Sequence, residues 1–244
     1  MKQVLHSLSW LRSFLDHRSS AMTSGFYFRD HFNTAGSLMV ATDASVWGLG
    51  AVLYIDGVLV AALHSPITSF DTLKFGFALG DEAGQQTWEM LILLVALRHW
   101  RGRWEHARVN LQVKSDNLAA LTTLTSLKAK ALNANFNLIA RELALDLGHA
   151  LYTPSFIVHT PGLSNVLPDW LSRVSQPSRS EPMPAALADV TIDEPIPRSS
   201  SYFLAAPLPK SSRGRHMALH KTSQKKMFKH RYLRARLDIV RGRR

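Results

Sequence analysis

Hydrophobic and polar residues follow three different patterns along this chain, and each predicts a different kind of element. Leu38-Met39-Val40-Ala41 is a continuous apolar run. Continuous rather than alternating apolarity predicts a strand covered on both faces, the state of a central strand in an α/β sheet. This places a first strand at about 37–45, with Asp43 where it ends. Gly48 and Gly50 would let the backbone turn or bulge tightly before a second strand, Ala51 to Tyr54. Asp56-Gly57 between two apolar runs is a hairpin signal, with a third strand from Val58 to Leu63. Strict alternation comes later, where Val109, Leu111 and Val113 intersperse with Arg108, Asn110, Gln112 and Lys114. That predicts a half-buried strand ending at Ser115-Asp116-Asn117.

Helical patterns fill the spaces between. Gln85 to Arg101 is apolar nearly all round in its middle and should be a well-buried helix. Val4, Leu5, Leu8, Leu11 and Leu15 recur at helical spacing in residues 1–16, interrupted by His6, Ser7 and Arg12, which predicts an amphipathic helix rather than a signal peptide. Residues 117–127 and 131–148 are predicted helices, 155–160 a short strand, and 163–173 a loop and last helix. Residues 64–84 contain Pro66, Gly76, Gly80 and Gly84 and read as a long surface loop. Three strands, a helix, a strand, helices, a strand and a helix make a mixed α/β sheet with helices packed on it.

Composition narrows the class. A chain of 244 residues that is 46% hydrophobic has enough apolar residues for one sizeable core plus extensions. It has no cysteine, which excludes disulfides and thiolate metal sites and fits a reducing, intracellular compartment. The longest apolar run, Met90 to Leu97, is eight residues, too short to span a bilayer, so no membrane partner is expected. The net charge of +11 is confined to one end: residues 209–244 hold 13 of the 29 Lys and Arg and one of the 18 acids. The preceding body is nearly neutral. Between body and tail, residues 176–209 hold seven of the 11 prolines and many serines, a linker signature.

Four carboxylates fall at the edges of the predicted elements. Asp43 ends the first strand, Glu89 lies near the start of the buried helix, Asp116 ends the alternating strand, and Asp169 opens the last helix. Each alone has an ordinary reading as a surface or capping residue, and Asp116-Asn117 is a natural helix N-cap. Converging, they would repel one another and raise each other's pKa unless cations neutralise them. Oxygen-only ligands select hard ions, Mg²⁺ first and Mn²⁺ second. Two such ions about 3.5–4 Å apart can activate a water and stabilise the leaving oxygen of a phosphodiester.

The motifs around these acids resemble a known family. Thr42-Asp43-Ala44-Ser45-x-x-Gly48-x-Gly50-Ala51 comes first, then Trp88-Glu89 ahead of Trp100-Arg101, then Ser115-Asp116-Asn117. His159-Thr160-Pro161-Gly162-x-x-Asn165-x-x-x-Asp169-x-Leu171-Ser172-Arg173 completes the set. Together they resemble the ribonuclease H domain of retrotransposon reverse transcriptases, over roughly residues 37–174. The resemblance implies a ribonuclease H-like fold: a five-stranded mixed sheet of order 3-2-1-4-5 with helices on both faces. It implies two-metal hydrolysis of the RNA strand of an RNA–DNA hybrid. Asp43 would bridge both ions, Asp169 would complete one site, and Glu89 and Asp116 the other. His159 would sit on a mobile loop and assist proton transfer or product release; otherwise it is a loop histidine with no role. Gln85, Gln86 and Asn117 would contact the hybrid, the two glutamines in its minor groove, where 2′-hydroxyls distinguish RNA from DNA.

The chain departs from the family pattern in places. Pro168 stands where Ala is usual before the last Asp, Leu118 stands where a polar contact is common, and loop 64–84 is longer than in compact members. No extra basic helix lies between Asp116 and Asp169. Tyr54-Ile55-Asp56-Gly57 lacks the second Asp of a polymerase Tyr-x-Asp-Asp and reads as a turn.

The expected division is a helical segment at 1–36 resembling the end of a polymerase thumb or connection region, the ribonuclease H-like domain at 37–174, a linker at 175–209 and a basic tail at 210–244 without a core of its own. A polymerase domain of the same polyprotein is an implied partner. Lys225-Lys226, Lys229-His230-Arg231 and Arg241-Gly242-Arg243-Arg244 could contact phosphates or serve as a nuclear-import signal, so nucleus and cytoplasm are both open. Two other readings remain: an idle remnant that binds nucleic acid through the tail, and a DNA strand-transferase. The latter's usual order of two Asp and then a late Glu does not match Asp, Glu, Asp, Asp.

Overall fold

A computed structural model describes residues 2–18, 34–104, 108–126, 134–147, 154–159, 161 and 164–204. Strands β1 (Thr34–Ala44), β2 (Gly48–Ile55) and β3 (Val58–Pro66) form an antiparallel meander. Asp56 and Gly57 turn between β2 and β3 with φ of 50° and 81°. That is a primed hairpin turn, whose twist matches the strands, so the turn reading of this tetrapeptide holds. β4 (Arg108–Ser115) lies parallel to β1, and β5 (Pro154–His159) parallel to β4. The order 3-2-1-4-5 is that of the ribonuclease H-like fold expected from the resemblance, and Ile192–Asp193 (β6) adds a sixth, parallel strand at the free edge of β3.

Alternation along the strands divides the core into two layers. Val40, Leu49, Ala51, Leu53, Ala61 and Leu63 face one side, where they share one core with α3 (Gln85–His99), α4 (Leu118–Ser126) and α5 (Ala134–Leu147). Ala41, Val52 and Ala62 face the other, where Leu171 of α6 (Val166–Ser172) covers them. Every residue of α3 from Thr87 to Leu97 is buried, as its all-round apolarity predicts. Its cap residue Trp100 is buried too.

The structure corrects three expectations. Residues 64–84 are not a plain loop but contain helix α2 (Ser69–Phe75). Thr68 and Asp71 close a capping box at its start, Gly76 ends it at φ 77°, and Phe75 packs edge-to-face on Trp88 at 5.7 Å. Seven residues are too few to show helical periodicity, although Thr-x-x-Asp was a visible start signal. Second, Gly48 and Gly50 lie within β2 with ordinary φ rather than forming a turn or bulge ahead of it. Third, the described part of the expected linker is packed onto the domain. Leu187 enters the second core layer and Phe203 stacks on Phe70 and meets Phe75 edge-on. Fully buried Arg198 pairs with Asp71 at 2.7 Å and donates to Ser65 Oγ and the Pro66 carbonyl. A few widely spaced anchors seat this strap on the domain. Their spacing leaves no periodic signal.

Helix α1 (Lys2–Arg18) forms where predicted, and the Trp10 indole donates to the Arg141 carbonyl at 3.1 Å. Ser13 Oγ bonds the Leu204 carbonyl. Among the described residues, no helix is long and apolar enough to cross a membrane.

Candidate active site

The C-terminal ends of the two central parallel strands and the start of α3 meet at one edge of the sheet. In open α/β sheets this is where sites form. Asp43 is the penultimate residue of β1, Asp116 follows β4, and Glu89 faces them one turn into α3. Ligand oxygens of these three carboxylates lie within 4.8 Å of one another. Asp43 and Glu89 are only 5% and 4% exposed, so water solvates their charges poorly.

The electrostatic consequence is large. Burial raises the Asp43 carboxyl from 3.8 to about 7; a bond from Ser172 opposes this, and the charges of Asp116 and Asp169 add to it. Glu89 is raised well above its ordinary value, first by burial and then by Asp43 and Asp116. Gln85 Nε2 donates to Glu89 Oε1 at 2.9 Å and to the Ala44 carbonyl at 2.5 Å, which ties the helix start to the end of β1. Glu89 Oε2 is buried without a hydrogen-bond partner. A buried, unpartnered carboxylate oxygen beside two further carboxylates is costly by itself. The same arrangement suits a divalent cation, and its all-oxygen donor set suits a hard one.

The fourth acid stands apart from these three. Asp169, in the first turn of α6, is 40% exposed, and its Oδ1 is held by Arg173 at 2.7–2.8 Å. Its charge nevertheless reaches Asp43. His159 is the last residue of β5, opposite Ser115: it lies in the short strand predicted at 155–160 rather than on the loop that the resemblance implies.

The remaining predicted residues divide. Gln86 is exposed, and with Gln85 it borders a groove of about 590 Å³ lined also by Ser45, Trp47 and Arg173. Gln85 is already engaged with Glu89. Asn117 Oδ1 caps α4 by accepting from the Ala120 amide at 2.9 Å, which leaves its NH₂ group for other contacts.

Three further residues of the last motif, Asn165, Ser172 and Arg173, lie against the acids. Asn165, 3% exposed, donates through Nδ2 to the carbonyl of Thr42, the residue before Asp43. Ser172, fully buried, donates through Oγ to Asp43 Oδ2 at 2.9 Å. Arg173 holds Asp169. The glycines of the first motif make room for them. A Cβ at Gly50 would lie 2.2 Å from the Pro168 carbonyl and 2.5 Å from the Ser172 nitrogen, and one at Gly48 would lie 2.6 Å from the Ser172 carbonyl. Their role is close approach of α6 to β2. The presence of these motifs was legible, but the contact between them was not.

No family model matches the chain, and no curated protein matches it. Among solved structures it is similar to ribonuclease H1 from the halophilic archaeon Halobacterium salinarum NRC-1, at 19% identity over 56% of this chain and 94% of that one, with a TM-score of 0.41. It is also similar to LC11-RNase H1, isolated from compost by a metagenomic approach, at 16% identity over 56% of this chain and 92% of that one, with a TM-score of 0.38.

Proposed function

We propose that this chain is a divalent-metal-dependent endoribonuclease that hydrolyses the RNA strand of RNA–DNA hybrids. The observation that carries the reading is the buried carboxylate group of Asp43, Glu89 and Asp116, brought within 4.8 Å from three separate elements. A fold stabilised by packing alone gains nothing from such a cluster. Two Mg²⁺ ions, with Mn²⁺ as substitute, would supply charge neutralisation, water activation and leaving-group stabilisation. Asp43 would hold both, Glu89 and Asp116 one of them, and Asp169 the other after exchanging Arg173 for the metal. Gln86 would contact the hybrid in its minor groove and the amide of Asn117 would also touch the hybrid, with Gln85 setting the Glu89 carboxylate. His159, at the end of β5, would assist proton transfer or product exit.

The order and spacing of the motifs support a retroelement reverse transcriptase as the parent polyprotein, with its polymerase domain as partner and the nucleus or cytoplasm as the place of work. Residues 37–174 would carry the chemistry, and the basic tail from residue 210 would add affinity for nucleic acid.

The deciding experiment is cleavage of labelled RNA in a hybrid, with and without Mg²⁺, against the same RNA as a single strand. Cleavage confined to the hybrid and abolished by Asp43→Asn is expected. Cleavage by Asp43→Asn within tenfold of wild type would sink the two-metal assignment. The Asp169–Arg173 ion pair favours a second reading, an idle remnant that binds through its tail. Hybrid binding without cleavage at any Mg²⁺ or Mn²⁺ concentration would establish that reading instead.

A further inference from the structure

We infer that Ser172 is a positioning residue for Asp43: the last helix delivers one buried hydroxyl that fixes the carboxylate at the centre of the metal site. The inference rests on the metal-site reading above.

Ser172 Oγ lies 2.9 Å from Asp43 Oδ2 and 2.9 Å from the Asp169 carbonyl oxygen. A hydroxyl has one proton and donates to one of these at a time. An ionised Asp43 wins that competition, because hydrogen bonds to charged acceptors are about twice as strong as neutral ones. Oδ2 is then held against the helix. The terminal torsion of an aspartate is otherwise broad, and a carboxylate facing other acids would turn away from them. Held at one oxygen, Asp43 keeps its other oxygen in a constant direction.

The surrounding residues serve this one contact. Ser45 Oγ donates to the Ser172 carbonyl at 2.7 Å while accepting from the Trp47 and Gly48 amides at 3.1 Å each. Gly48 and Gly50 permit backbone approach that any Cβ would block. Asn165 fastens the entry to the helix onto the Thr42 carbonyl. Thus the first and last motifs, about 120 residues apart in sequence, interlock around a single serine. Supporting groups of this kind are typically worth 10–100-fold in metal affinity.

The test is Mg²⁺ titration of the full chain by isothermal calorimetry, with thermal unfolding in EDTA alongside. Ser172→Ala is expected to unfold near the wild-type temperature yet bind Mg²⁺ about 10–100-fold more weakly. Leu187→Ala, which loosens the same face without touching Asp43, is expected to leave Mg²⁺ affinity unchanged. Equal Mg²⁺ affinity in Ser172→Ala and wild type overturns the inference and leaves the metal site standing, as does an equal loss in Leu187→Ala. Wild type that binds no Mg²⁺ overturns both readings. Should Ser172→Ala not fold, Ser172→Cys retains bulk with a poorer donor; it is expected to bind more weakly than wild type, and wild-type affinity there is equally fatal.

Discussion

At the scale of single residues, the proposed metal-binding role of Asp43 opposes metal-free stability. Its carboxyl is raised from 3.8 to about 7 by burial first, so the folded chain keeps a proton that the unfolded chain releases. Between those two values the folded state binds more protons, and this group makes stability fall as pH rises, by about 1.4 kcal/mol per pH unit. Above about pH 7 the whole penalty is present. Asp43→Asn removes it, so in EDTA the variant should match wild type near pH 4 and exceed it at pH 8. Urea midpoints at both pH values measure this, and parallel curves would contradict it. His159 gives a contrasting case. His159→Ala should slow turnover by about 10²–10⁴-fold, the range for a general acid–base group, with Mg²⁺ affinity by calorimetry left alone. Wild-type turnover would return it to a histidine without a role.

At the scale of elements, β2 and α6 act as one unit because two glycines let them touch. In Gly50→Ala the new Cβ would meet backbone at 2.2 and 2.5 Å, and no rotamer change can relieve that. The helix must move, at a cost of about 1–3 kcal/mol. Since Asp169 and Ser172 ride on that helix, Mg²⁺ affinity should fall with stability. Gly57→Ala is the comparison. Its site has open space but φ of 81°, so it should cost about 1–2 kcal/mol through backbone strain alone. Its Mg²⁺ affinity should remain that of wild type. Loss of metal binding in both variants, or in neither, would show that the helix contact is not what the site depends on.

At the scale of the whole molecule, the Pro- and Ser-rich strap belongs to the folded unit. Arg198→Met leaves Asp71 buried without its cation and should cost about 3–5 kcal/mol. Arg98 reaches the strap from the other side, joining Glu142 and Asp146 to the Tyr202 carbonyl. A chain ending at Val174 loses Arg198, Leu187 and Phe203 together, against a typical total stability of about 5–15 kcal/mol. It should therefore be largely unfolded, whereas a chain ending at Ala206 should unfold at the full-length urea midpoint. A folded 174-residue chain with an unchanged midpoint would return the strap to the status of linker. Removal of residues 207–244 tests the basic tail separately. Each phosphate it neutralises contributes about −0.9 to the slope of log affinity against log salt, so its loss should flatten that slope by several units, and an unchanged slope would make it a bystander.

Sequence alone determined the first five strands and where four acids fall along the chain. Leu111 and Val113 alternate with Gln112 and Lys114 because one face of their strand meets the core, and the Leu38–Ala41 run is continuous because both faces do. Such periodicities are local consequences of burial, so they are written along the chain. Motif spacing likewise placed Asp43, Glu89, Asp116 and Asp169 in order. Tertiary structure decided which of them converge, that Arg173 engages the fourth, that Ser172 holds the first, and that Arg198 and Phe203 seat the strap. The contacts of Asn165, Ser172 and Arg198 join residues some 120 to 135 positions apart, set by where the chain returns rather than by any local pattern, whereas the Arg173–Asp169 pair lies four residues apart on one helix. A serine or arginine has no periodic signature, and its role follows only from the group it meets.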